Sequence, residues 1–173
     1  MSTDIDFSKL SLKDALDLAI LVEDEAQERY IQFAVQMEKH HTEDAAKFFR
    51  FMAHNEAKHG EELSARRKEL FGDVPMSVDR SMLWDVEAPD YNEARAFMSL
   101  QQALEVAYEA EVKAYEYFDK ALPQVKDPGV QELFRELREE EIEHQDLVKK
   151  EMAKAGAADG FDPDDFVDGP ASQ

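Results

Sequence analysis

There is no cysteine among the 173 residues, which removes disulfides, thiolate metal sites, iron–sulfur ligation and cysteine nucleophiles from consideration. Glycine and proline number only 6 each. Basic residues are half as numerous as acidic ones, 20 against 40, and the resulting charge of −20 repels phosphate backbones and anionic membrane surfaces while drawing cations. No apolar run approaches the roughly 20 residues needed to span a bilayer. The segment from Met1 to Leu10 lacks the basic region and apolar stretch of a secretory signal. Neither nucleic acid nor membrane is an expected partner, and the expected location is the cytoplasm, with which the absence of cysteine is compatible.

What the chain does contain is alanine, leucine, glutamate and lysine, in a composition 43% hydrophobic and 35% charged that favours long helices over sheets. Its length suits one domain with tails. After an N-terminal extension over residues 1–10, Ser11 caps a first helix whose apolar residues Leu16, Ala19, Ile20, Val22, Ala26, Tyr30, Phe33, Ala34 and Met37 recur at three- and four-residue steps, ending near His40. Thr42, followed by Glu43 and Asp44, opens a second helix through Phe48, Phe49, Met52 and Leu63 toward Leu70, with Gly72 as its stop.

Residues 73–90 break the pattern with Pro75, Pro89 and the single Trp84, and read as a crossover too long for a tight turn. Asp90 and Glu93 carry a capping-box signature for a third helix marked by Ala94, Phe97, Leu100, Leu104, Ala107, Tyr108, Val112, Tyr115 and Phe118, which stops before Pro123. Asp127 with Pro128 opens a fourth, through Val130, Leu133, Phe134, Leu137, Ile142 and Leu147 to about Met152. The remainder, 155–173, reads as a flexible acidic tail. The expected domain is thus an all-α four-helix bundle over 11–154, built of hairpins 11–72 and 91–154.

Two Glu-x-x-His segments, Glu56 with His59 and Glu141 with His144, can each present a carboxylate and an imidazole on one helix face. A single copy is weak evidence, because acid-rich helices produce this spacing on solvated faces. The surroundings strengthen it: residues 48–59 align without gaps to 133–144, and 19–30 to 107–118, which makes Glu23 equivalent to Glu111. The second hairpin therefore repeats the first. The offsets between equivalent glutamates, 88 and 85, differ by three, a difference assigned to a shorter second turn. Facing residues of a helical hairpin lie equally far from its turn, and the midpoints of the two sets fall near residues 40 and 127, both in expected turns.

Glu23, Glu56, His59, Glu111, Glu141 and His144 are accordingly expected at one level of the bundle. Four buried carboxylates there require a compensating cation, since each uncompensated charge costs about several kcal/mol. Two divalent ions match that charge, and mixed oxygen and imidazole donors suit iron or manganese, with zinc also accommodated. His40, His41 and His54 are expected as solvated polar residues, Glu139, Glu140 and Glu143 as outer-face charges, and Tyr108 and Tyr115 as packing.

This ligand set, one Glu from each of two helices and Glu-x-x-His from the other two, is the general pattern of ferritin-like di-metal bundles. Over residues 11–153 the chain resembles the rubrerythrin branch of that superfamily. The resemblance implies two iron ions, bridged by Glu56 and Glu141, with Glu23 and Glu111 as terminal carboxylates and His59 and His144 each completing one iron. Tyr30 matches the family's tyrosine beside the ligands; its repeat partner is Phe118.

Two departures accompany the likeness. A rubredoxin-like domain needs four cysteines, so an external electron donor is expected. A further third-helix carboxylate of the peroxidases is replaced by Ala114 and Tyr115, which makes the six-ligand set look like a bacterioferritin-type ferroxidase centre. The implied function is an oxidoreductase reducing hydrogen peroxide or dioxygen as Fe(II) is oxidised. The alternatives are a ferroxidase for iron storage or detoxification in a larger assembly, and a metal-stabilised binding module. A homodimer or larger homo-oligomer is the expected assembly.

Overall fold

The computed structural model describes residues 5–83 and 98–156. Four long helices, α1 (Leu12–Lys39), α2 (Glu43–Phe71), α3 (Leu100–Ala121) and α4 (Pro128–Gly156), pack as two hairpins, α1 with α2 and α3 with α4, and no strand occurs among the described residues. Short 3-10 turns occupy Phe7–Lys9, Arg80–Met82 and Leu122–Gln124.

Helix ends follow local chemistry. The Ser11 side chain accepts from the Asp14 amide at 3.1 Å. Asp127 Oδ1 accepts from the amides of Gly129 and Val130 ahead of α4, with Pro128 in the first helical position, where a missing N–H costs nothing. Gly72 closes α2 at φ +62°, a left-handed conformation that glycine adopts without strain. Thr42 precedes α2 as expected, but its side chain makes no capping bond; Glu43 and Asp44 supply negative charge in the first turn instead.

Three apolar clusters build the core: the smallest joins Leu18, Val22 and Leu83, and the two larger ones run through all four helices. One holds Tyr30, Phe33, Phe49, Met52, Leu104 and Val148; the other holds Leu16, Ile20, Leu63, Phe118, Leu133 and Leu137. Each helix passes from one cluster to the other. By residue order, α1 and α4 run in one sense and α2 and α3 in the opposite sense. Consecutive helices α2 and α3 are therefore parallel, and the chain must return along a bundle about 40 Å long before α3 can begin. That requirement explains the long crossover.

Several expectations need correction. Among the described residues the third helix begins at Leu100: Ser99 is extended, with ψ 164°, and a reciprocal Ser99–Gln102 capping box caps α3 there. The Asp90–Glu93 signature, Trp84 and residues 157–173 of the expected tail lie outside the described residues. Helix α4 runs past Met152 to Gly156, since Ala155 still packs against the Tyr30 cluster. Residues ahead of Ser11 join the packing, with the Phe7 ring edge-on to Tyr117 at 5.8 Å and Phe134 at 6.1 Å.

The three-residue difference between the repeats has another origin than a short second turn. Lys39 lies 16 residues after Glu23, whereas Ala121 lies only 10 after Glu111; the second connection, 122–127, is longer than the first, 40–42. A shortened α3 outweighs a lengthened turn. Finally, Ile142 is 44% exposed, because Glu141 and His144 hold the inward face of that turn of α4.

A buried ion pair ties α2 to α1 at the far end of the bundle. Arg67 Nε donates to Asp17 Oδ1 at 2.7 Å, and Asp17, fully buried, also meets Lys13 Nζ at 3.0 Å. The same guanidinium donates to the carbonyls of Gly72 and Val74, so one side chain fixes the α2 terminus and the start of the crossover. Asp17→Ala leaves that arginine without its charge partner and is expected to lower the Tm by about 5–10 °C, read from the helical circular dichroism signal on heating.

Candidate metal centre

Between the two larger apolar clusters lies a single polar layer to which every helix contributes. Glu23 comes from α1, Glu56 and His59 from α2, Glu111 from α3, and Glu141 and His144 from α4. All are buried except His59, which is half-buried. Each sits about one to two helical turns from apolar residues on both sides, such as Ile20 and Tyr30 around Glu23, so the clusters seal the layer from above and below. The backbones approach closely: a Cβ placed on Gly60 would lie 3.5 Å from Glu23 Cβ.

The donor atoms converge. Those of Glu111, Glu141 and His144 lie within 4.8 Å of one another, as do those of Glu56, His59 and His144, and those of Glu23, His59 and Glu140. The two imidazoles stack with their planes 3° apart and centroids separated by 4.8 Å. His144 Nδ1 stands 3.1 Å from Glu111 Oε2 and 3.6 Å from Glu141 Oε2. The other Glu111 oxygen accepts from Tyr30 Oη at 3.2 Å, a bond crossing from α1 to α3. Its repeat counterpart Phe118 has no hydroxyl and packs in the opposite cluster, so this support exists in one half only.

His59 Nδ1 is buried and has no hydrogen-bond partner among the described residues. Burial, followed by the neighbouring His144, holds the His59 pKa below its ordinary value, which outweighs the opposing pull of Glu62 and Glu111. The lowered pKa favours the neutral imidazole, the form that binds a metal. An orphaned imidazole nitrogen beside four buried carboxylates fits a cation, and the donor set suits two metal ions.

A family model described as Rubrerythrin matches residues 14–152. The chain belongs to the rubrerythrin family. Among solved structures, it is similar to an uncharacterized conserved protein from Magnetospirillum magnetotacticum MS-1, with 30% identity over 84% of this chain and 95% of that one at a TM-score of 0.66. It also shares its fold with a hypothetical protein from Pyrococcus furiosus, at 21% identity over 83% of this chain and 89% of that one, TM-score 0.50. No curated protein is significantly similar to it.

In this rubrerythrin-family chain the six residues singled out by spacing and repeat all reach the one layer. His40, His41 and His54 are exposed, as expected of solvated residues. Glu140 is a correction: it is half-buried, burial raises its pKa, and its carboxylate faces Glu23 and His59. The signal was present, because Glu140 precedes His144 by four and that spacing also shares a helix face. Among the described residues no helix is long and apolar enough to cross a membrane.

Proposed function

We propose that this chain is a di-iron oxidoreductase of rubrerythrin type, reducing hydrogen peroxide or dioxygen as Fe(II) is oxidised. The observation that carries this reading is the largely buried layer of four carboxylates and two imidazoles drawn from all four helices. Glu56 and Glu141, on the facing helices α2 and α4, would bridge two ions; Glu23 with His59 and Glu111 with His144 would complete one ion each. Bound iron would supply the two electrons that convert one hydrogen peroxide and two protons to two waters.

The protein's own part is charge balance, orientation and dryness. Four carboxylates offset the charge of two divalent ions, and the neutral imidazoles add donors without adding charge. Tyr30 holds Glu111 in one orientation through its hydroxyl proton. The apolar clusters on either side limit water, which strengthens each electrostatic contact inside. An external donor would return the electrons.

A ferroxidase, with iron as substrate, is the second reading. It is favoured by a carboxylate-lined cavity leading to His59 and by a charge of −20 that concentrates cations.

Anaerobic protein given two Fe(II) per chain should oxidise faster with hydrogen peroxide than with dioxygen in stopped-flow absorbance if it is a peroxidase, and in the reverse order if it is a ferroxidase. Failure to oxidise two irons per chain with either oxidant overturns the proposal. Tyr30→Phe is expected to keep both ions while slowing oxidation about 10-fold; an unchanged rate in the same assay would remove Tyr30 from the machinery.

A further inference from the structure

A cavity of about 190 Å³ opens between α2 and α4, with His59, Glu62, Arg66, Glu136 and Glu140 on its polar walls and leucines on the rest. His59 is the least buried of the six residues in the polar layer, so the cavity marks where that layer approaches solvent. Arg66 Nη1 donates to Glu136 Oε2 at 2.6 Å, joining the two helices across the cavity wall and occupying one of its acids. Glu140 is differently placed. It is half-buried, makes no hydrogen bond or ion pair among the described residues, and brings a carboxylate oxygen within 4.8 Å of donor atoms on both Glu23 and His59. His59 contributes a nitrogen that is buried and lacks a hydrogen-bond partner among the described residues.

We propose that Glu140 is a seventh metal-binding side chain, receiving a divalent cation from this cavity and sharing it with Glu23 and His59. The inference rests on the di-metal reading above and deepens it. With Glu136 paired to Arg66, Glu62 and Glu140 leave the cavity lining net negative, which favours a cation over an anion. Glu140 lies between the rest of that lining and the layer, on the same face of α4 as Glu136 and His144, one turn from each. The cation thus meets carboxylates in sequence instead of crossing either apolar cluster. Arg66, held by Glu136, leaves Glu140 free of a competing guanidinium.

Co(II) serves as the probe, because its visible bands report coordination without any turnover. Apo protein, Glu140→Gln and Glu139→Gln are titrated anaerobically and then followed by stopped-flow absorbance. Glu139 is an exposed neighbour whose change removes the same charge. Glu140→Gln is expected to bind one of two Co(II) roughly 10-fold more weakly or more slowly and to alter the bands of that ion, whereas Glu139→Gln matches the parent. Glu140→Ala should reproduce the defect and guards against a glutamine that still ligates through its carbonyl. Identical affinity, rate and bands in the parent and both Glu140 variants would overturn this inference alone. A parent that takes up no Co(II) would overturn it together with the metal-site reading.

Discussion

Glu56→Ala protein titrated anaerobically with Fe(II) is expected to hold one ion per chain where the parent holds two, and to oxidise it more than about 100-fold more slowly. Changes to groups that merely orient metal ligands cost about 10- to 100-fold, so removing a bridging carboxylate should exceed that range. The physical reason lies in the layer's composition: Glu56 is fully buried on α2 in the group formed with His59 and His144. On the proposed ligand assignment, its loss would withdraw one bridging carboxylate and one compensating charge together. Glu141→Ala should behave alike, because Glu141 occupies the corresponding place on α4. Retention of two ions with an unchanged oxidation rate in either variant would sink the ligand assignment.

Metal loading should also raise thermal stability strongly and reversibly. Ligand bound only by the folded state at 100 times its dissociation constant contributes about 2.7 kcal/mol, which for a chain of this size corresponds to a Tm rise of about 5–10 °C for one ion. Two ions should do more, and a chelator should reverse the change. The sign inverts for a charge-removing variant. Without metal, Glu56→Gln removes the charge of a fully buried carboxylate and is expected to raise the Tm of the apo protein. With metal, the same variant falls below the parent. Calorimetry of both proteins with and without Mn(II) measures the crossing, and parallel behaviour in the two conditions would mean that the layer is not built around cations.

The helices and their polar layer were legible because their determinants are local. Ser11, Gly72, Asp127 and Pro128 mark helix ends through contacts within a few residues, and Glu-x-x-His records which side chains share a helix face. The internal repeat carried this further, since two similar hairpins must place Glu23 and Glu111 alike.

Local signals were less decisive where segments offered the same chemistry. The Ser99–Gln102 capping box did not stand out in the sequence, and the extended backbone at Ser99 is what places the start of α3 at Leu100. Likewise, Glu139, Glu140 and Glu143 look equivalent in an acidic run, yet only Glu140 faces Glu23 and His59.

By itself, then, the sequence determined an all-helical chain of two like hairpins, the level at which four carboxylates and two imidazoles meet, and a charge suited to cations. The tertiary structure decided what depends on lateral packing between helices. It turned Glu140 toward α1 and α2, joined Tyr30 to Glu111 across the bundle, buried Asp17 against Arg67, and balanced a shorter α3 against a longer turn. Spacing along a chain fixes which side chains share one helix face. Which neighbour that face meets is fixed by how the apolar clusters interlock, and those contacts join residues tens of positions apart.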